Sequence, residues 1–203
     1  IFFFLFFSYP PINAQQILWQ HTIGGDDHDQ IQTFRQKLDG GCIIGGCSQS
    51  GISGDKTEVC QGTWDYWIVK LDASGNIQWQ NTIGGNSTDQ LFSIYPTIDG
   101  GYICGGSSWS NISGDKTENS LGDADYWIMK LDASGNIQWQ NTIGGDDMDL
   151  LKMVQQTNDG GYMCGGYSES GIYGDKTDSC RGSNDYWIVK LDMNGNIQWQ
   201  KVY

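Results

Sequence analysis

The side chains in this sequence that are of a type to do chemistry are mostly aspartates. Asp26, Asp27 and Asp29 follow Gly24-Gly25 in the string Gly-Gly-Asp-Asp-x-Asp, which recurs at Asp146, Asp147 and Asp149. Clustered loop carboxylates ligate Ca2+ through oxygen, so both sets are candidate calcium sites. Their spacing fits no EF-hand, which needs a third acidic or amide position, a glycine and a distal glutamate. The intervening copy carries Asn86, Ser87, Thr88 and Asp89, which favours turn-forming, solvated aspartates as the plainer reading. Asp123, Asp125, Asp175 and Asp178 form a second calcium candidate in a longer polar loop. Calcium is the only cofactor these residue types suggest.

The other reactive residues point to no reaction. Glycoside hydrolysis needs two carboxylates flanking one sugar bond, and the only glutamates are Glu58, Glu118 and Glu169. Glu58 and Glu118 occupy equivalent places sixty residues apart, with Asp178 in the third. A catalytic pair should break such symmetry, because one substrate binds once. His21 and His28 lie in no zinc-protease motif, and neither a nucleophile elbow nor a phosphate loop is present. The six cysteines are Cys42, Cys47, Cys60, Cys104, Cys164 and Cys180. Cys104 and Cys164 share a repeat position and are expected to pack as small core hydrophobes. A Cys47–Cys60 bridge is conceivable, with no counterpart in the other copies. Seven of the nine tryptophans recur in phase and are expected in the core. Trp64 and Trp109 break the phase and fall in or beside long loops, so they are the candidate ligand or partner contacts.

These residues are set on an internal repeat. Trp19, Trp79, Trp139 and Trp199 are spaced by sixty, and Asp-Tyr-Trp recurs at 65–67, 125–127 and 185–187. Thr-Ile-Gly-Gly, Asp-Gly-Gly and Gly-Asp-Lys-Thr recur in the same phase. The units run 17–76, 77–136 and 137–196, with 197–203 starting a fourth. Within a unit, alternation predicts a strand over 77–83, then strands over 91–98, 102–107 and 126–131. Asp-Gly-Gly and Asp-Ala-Ser-Gly-Asn mark hairpin turns. The turn over residues 72–79 misses the aspartate-box spacing of sialidase propellers, because Gly75 precedes Trp79 by four residues rather than three. The fourth strand is apolar on both faces: Trp127, Met129 and Leu131 on one, Tyr126 and Ile128 on the other. A sheet covered on both sides by similar sheets has this pattern. The expected fold is therefore all-β: a β-propeller-type array of four-stranded antiparallel blades, about three of them, in an open and incomplete propeller.

The phased string WQ-N-T-I-G-G…D-G-G-Y…G-D-K-T…D-Y-W-I-x-K-L-D-x-x-G-N resembles a family of exported bacterial β-propeller repeat proteins. The likeness covers about residues 16–203. It implies a secreted or cell-surface propeller with no assigned reaction, often a substrate of type IX secretion through a C-terminal sorting domain.

Residues 1–14 begin Ile-Phe-Phe-Phe-Leu-Phe-Phe and reach Pro10-Pro11 and Ala14, as the end of a secretory signal peptide does. Residues 15–203 are then the propeller part of a longer chain with further blades. Seven apolar residues are too few to span a bilayer, which takes about 20. The formal charge of −13, from 11 basic and 24 acidic residues, argues against a nucleic-acid partner, since phosphate contact needs clustered Lys and Arg. The expected function is a non-catalytic binding or scaffold module with a protein or glycan ligand. The alternatives are a part of an endoglucanase-like hydrolase or a lectin-like propeller.

Overall fold

The computed structural model describes residue 17 and residues 19–203. The expected signal remnant, residues 1–14, lies outside the described residues. Twelve strands form three four-stranded antiparallel sheets, each in simple sequential order. The first holds β1 (Asp29–Gln36), β2 (Cys42–Ser48), β3 (Asp65–Leu71) and β4 (Ile77–Ile83). The second holds β5 (Asp89–Pro96), β6 (Tyr102–Ser108), β7 (Asp125–Leu131) and β8 (Ile137–Ile143). The third holds β9 (Asp149–Gln156), β10 (Tyr162–Ser168), β11 (Asp185–Leu191) and β12 (Ile197–Val202). Three antiparallel blades, with no helix and no closed barrel among the described residues, are the expected all-β array. No helix among the described residues is long and apolar enough to cross a membrane.

The sheets cut the sixty-residue repeat at a point that periodicity alone leaves free. The Ile-Gln-Trp-Gln strand closes its own sheet rather than opening the next, and residues 84–88 make the crossing. The strand expected over 91–98 runs from Asp89 to Pro96 instead. Asp89 is already paired with Ser108, and Thr97 opens the turn by donating its N–H to Gly101 O at 2.9 Å.

Sheets stack through their early strands: β5 packs on β1, β2 and β3, and β9 on β5, β6 and β7. The first strands β1, β5 and β9 therefore converge on the inner edge while the fourth strands fan outward. The two faces of β7 enter different cores, as its double apolar pattern requires. Trp127, Met129 and Leu131 join Leu91, Ile94 and Tyr66 between sheets one and two. Tyr126 and Ile128 join Leu151, Val154 and Trp187 between sheets two and three.

The repeat motifs explain themselves as joints between these sheets. The Trp127 indole N–H donates to Gln140 Oε1 at 2.9 Å, and Gln140 Nε2 donates on to Asp115 O at 2.7 Å. The glutamine of Trp-Gln thus ties the Asp-Tyr-Trp strand to the Gly-Asp-Lys-Thr loop. Lys116 lies beneath that loop, its ammonium 5.9 Å from the Trp127 ring centre and bonded to Glu118 O and Thr142 Oγ1. Gly114 holds φ +55°, and a Cβ there would lie 2.5 Å from Gly84 O, so the loop can clasp the crossing segment only with glycine.

The tryptophans divide into two classes. Trp67, Trp127 and Trp187 are buried. Trp79 and Trp139 are half-buried, lying over the next sheet's Gly135 and Gly195 turns and packing against the edges of the cores beside Tyr102 and Tyr162. The expectation of core packing therefore holds for the first series and in part for Trp79 and Trp139, while Trp19 and Trp199 are exposed. Trp79, Trp139 and Trp199 sit on the fourth strand, at the edge of each sheet.

Candidate functional site

The aspartates do not act together. Asp26 Oδ1 accepts from Ser53 Oγ at 2.6 Å, Asp27 Oδ1 binds its neighbour His28, and Asp29 Oδ2 accepts from Gly25 N at 2.6 Å and Ser50 Oγ at 3.1 Å. In the third copy Asp146 Oδ1 accepts from Gly171 N, Asp147 Oδ1 from Met148 N, and Asp149 Oδ2 from Gly145 N and Ser170 Oγ. Each carboxylate thus fastens a different backbone segment. Among the described residues no three His, Cys, Asp or Glu side chains converge as a metal site. Of the second set, Asp125 accepts from Leu121 N at 2.5 Å, Asp175 from Gly144 N at 3.3 Å, and Asp178 pairs with Lys201 at 3.5 Å.

Two pairs of carboxylates are buried at the sheet boundaries. Asp65 and Asp89 are both fully buried, as are Asp125 and Asp149. Burial, with the charge of Asp89 adding to it, pushes the Asp65 carboxyl up to about 6. Asp125, facing Asp149, is likewise pushed to about 6, chiefly by burial. One Oδ1 of each of the four has no hydrogen-bond partner. These groups repeat with the sheets, and their hydrogen bonds hold the crossing segments in place.

The glutamates considered for hydrolysis are also structural. Glu58 Oε2 accepts from Thr82 N at 2.6 Å, and Glu118 Oε2 from Thr142 N at 2.5 Å, pinning the fourth strand in successive sheets. His21 and His28 are exposed. Cys104 and Cys164 are fully buried in the cores. The conceivable Cys47–Cys60 bridge is not formed: both are free thiols, and Cys60 Sγ donates to Ser48 O at 3.0 Å. Ser120 fills the equivalent place in the second sheet and makes the same bond, so this position needs a small donor rather than a bridge.

Trp64 and Trp109 are brought to either side of Thr88. Trp64 forms a parallel bridge with Thr88, and Trp109 N donates to Thr88 O at 2.9 Å. Both indoles are half-buried, and Trp64 faces the His28 ring at 6.4 Å. They mark one end of the boundary between sheets one and two.

The clearest break in symmetry lies on the inner edge, where sequence reading nominated nothing. A groove of about 580 Å³ runs along β1, β5 and β9 and on over Met163 to Gly165 of β10 and Ile188 of β11. At one level it presents Gln32, Phe92 and Lys152, each at the bulge where its strand slips register. At the next it presents Arg35, Tyr95 and Gln155. The Lys152 ammonium sits 3.7 Å from the Phe92 ring centre, and the Arg35 guanidinium 3.9 Å from that of Tyr95. Arg35 Nη1 donates to Phe34 O at 2.7 Å, while its Nε is buried without a partner. Among the described residues neither cation has a carboxylate within ion-pair distance. By contrast, Lys130 and Lys190 pair with Asp99 and Asp159 at 2.9 and 3.0 Å. Burial lowers the Lys152 pKa. A signal was present in the sequence: positions 32, 92 and 152, and 35, 95 and 155, differ in charge class while their neighbours keep theirs. Only the strand order shows that these positions share one groove.

Comparison with protein-family models and with curated proteins returns no match to this chain.

Proposed function

We propose that this protein is an exported, non-catalytic binding module whose ligand lies along the inner edge of the blades. The observation that carries the reading is where the side chains stop repeating. The repeated aspartates, lysines, glutamines and glutamates are spent on joints between loops and strands. The groove side chains Gln32, Phe92, Lys152, Arg35, Tyr95 and Gln155 differ from copy to copy, as contacts to a single asymmetric ligand must. Two cations without acidic partners, each over an aromatic ring, favour an anionic ligand inside a protein of net charge −13. An acidic glycan has the matching chemistry, with carboxylates for the cations and sugar faces for the rings. Trp64 and Trp109, at the loop end of the same sheet boundary, are proposed as outlying contacts. Export, surface location and the likeness to type IX secretion substrates rest on the leader-like residues 1–14 and the repeat string.

The test is a panel of soluble uronate-containing and neutral polysaccharides, read by isothermal calorimetry at low and high salt. Binding to the acidic members, weakened by salt and lost in the Arg35→Ala/Lys152→Ala double variant, supports the reading. Equal binding to neutral members, or binding indifferent to the double variant, refutes it. Release of reducing ends that depends on Glu118 would replace it with the hydrolase alternative.

A further inference from the structure

Each sheet buries a lysine under its Gly-Asp-Lys-Thr loop, and Lys56, Lys116 and Lys176 are all 2% exposed. A buried ammonium ordinarily takes a carboxylate partner, and Lys130 and Lys190 have theirs in Asp99 and Asp159. Among the described residues none of the three loop lysines has a carboxylate within ion-pair distance. They bond to neutral acceptors instead, and these differ from sheet to sheet. Lys116 donates to Glu118 O at 3.1 Å and to Thr142 Oγ1 at 2.8 Å. Val202 stands in the third sheet where Thr142 stands in the second, so Lys176 lacks that acceptor. Its Nζ donates to Ser170 O at 2.6 Å and to the Cys180 sulfur at 2.9 Å.

Cys180 is held to receive it. Its Sγ donates to Ser168 O at 2.8 Å, which engages the thiol hydrogen and leaves a sulfur lone pair for the lysine. The first sheet has the same two residues, Lys56 and Cys60, four apart in the same loop. Cys60 makes the same backbone bond, to Ser48 O. Burial pushes the Cys60 thiol up, and the Lys56 charge beside it pulls it back down. The second sheet has Ser120 at this place, bonded alike to Ser108 O but without sulfur. Cys42, Cys47, Cys104 and Cys164 are buried, whereas Cys60 and Cys180 are partly open to solvent. Cys60 keeps that opening with the second sheet packed on the first, so access does not depend on what covers the third. A partly exposed thiol beside a cation is where cysteine oxidation concentrates.

We propose that Lys176–Cys180 and Lys56–Cys60 are modification sites at which a hydroperoxide joins nitrogen to sulfur. The thiol sulfur attacks the peroxide, the O–O bond breaks, and a sulfenic acid forms with release of water. The lysine nitrogen, having given up a proton, then attacks that sulfur. An N–S bond forms, the S–O bond breaks, and the hydroxyl leaves as a second water. Thiol, ammonium and hydrogen peroxide thus give a sulfenamide, two waters and one proton. Sulfur loses the two electrons that reduce the peroxide, and the condensation itself is redox-neutral. Sulfenic acids condense with backbone nitrogen in this way, and here an amine is already in contact. An added thiol reverses the link by attacking the sulfur and releasing the amine. Each link pins its loop and removes one positive charge. With both made, 11 basic residues become nine and the net charge moves from −13 to −15.

The test treats the full chain, reduced and then freed of reductant, with a few equivalents of hydrogen peroxide, followed by tryptic mapping in the mass spectrometer. The expected result is loss of cleavage after Lys56 and Lys176, each in a peptide lighter by two hydrogens. The thiol count falls from six by two, and dithiothreitol restores both thiols and cleavage. Cys180→Ser copies Ser120 of the second sheet and so keeps the fold; it should lose the Lys176 link and keep the Lys56 link. Lys176→Arg keeps the charge but offers no amine, so Cys180 should pass on to sulfinic acid, which dithiothreitol does not reverse. Cleavage retained after either lysine, with its cysteine recovered as thiol or sulfinic acid, overturns the assignment of that site. A disulfide between Cys60 and Cys180, or a block at Lys176 that persists in Cys180→Ser, overturns it as well.

Discussion

Raising the pH from about 4 to about 7 strips the protons from Asp65 and Asp125, and the structure says this destabilises the fold. Both carboxyls are fully buried at sheet boundaries. Burial first, and then the facing charge of Asp89 or Asp149, raises each from the ordinary 3.8 to about 6. The Gln61 and Leu121 N–H groups that donate to them pull the other way and do not prevail. A folded-state value above the unfolded one means the acid form is the one the fold prefers. Its contribution is complete below pH about 4 and is lost as the pH rises through about 6. A rise from 3.8 to about 6 corresponds to about 3 kcal/mol per aspartate as a ceiling. With half of that realised at both sites, the urea midpoint should fall by roughly 1 M between pH 4.5 and 7. The opposing groups act in another window: Asp99 and Asp159, held near 2 chiefly by the Thr97 and Thr157 hydroxyls, remove stability only below about pH 4. General repulsion at a net charge of −13 runs in the same direction as the effect sought, so variants must separate them. Asp65→Asn/Asp125→Asn keeps an acceptor for the Gln61 and Leu121 N–H groups and cannot ionise. The double variant should show a much flatter midpoint between pH 4.5 and 7, and be the more stable protein at pH 7. A parent midpoint that is level or rising over that range, or a double variant with the parent's slope, would refute the reasoning.

The sheet contacts supply the remaining predictions. Tyr126→Ala, which empties a filled socket and removes a donor to Trp187 O, should cost about 3–5 kcal/mol in urea unfolding, while Tyr186→Ala, at an exposed side chain, should stay within about 0.5 kcal/mol. Gln140→Ala leaves the Trp127 indole N–H and Asp115 O without their partner, and should cost about 1–3 kcal/mol with a blue-shifted or quenched indole emission as the local check. Gly114→Ala meets both a positive φ and the Gly84 carbonyl, so its melting temperature should fall well beyond that of a Gly51→Ala control, whose Cβ meets open space. Thiol titration in denaturant should count six free cysteines without reductant, and the native protein fewer, because Cys104 and Cys164 are buried and their thiols are raised well above the ordinary range.

Much of the fold was legible because each blade uses the same few contacts. Trp-Gln, Gly-Asp-Lys-Thr and Asp-Tyr-Trp recur at a fixed period since Gln140 must reach both Trp127 and Asp115, and its counterparts must do likewise. The two apolar faces of β7 likewise announced a sheet covered on both sides. The site was less legible for the same reason. Repeated aspartates draw the eye as ligands, yet repetition is the mark of a joint, and Asp29 and Asp149 serve identical joints. Arg35, Phe92, Tyr95 and Lys152 form no motif along the chain, so only their failure to repeat set them apart.

By itself the sequence determined the unit: its period, its strands, its turn glycines and the apolar character of both faces, all of which are local patterns of spacing. The tertiary structure decided where one sheet ends and the next begins, because a periodic string has no preferred starting point and only strand pairing provides one. It also decided which strands lie innermost, and so which variable side chains share a groove. Finally, it made chemically identical residues unlike. Tyr66, Tyr126 and Tyr186 stand in the same motif, but two are covered by a following sheet and one is not. That difference is a property of neighbours in space, which the chain's own pattern does not encode.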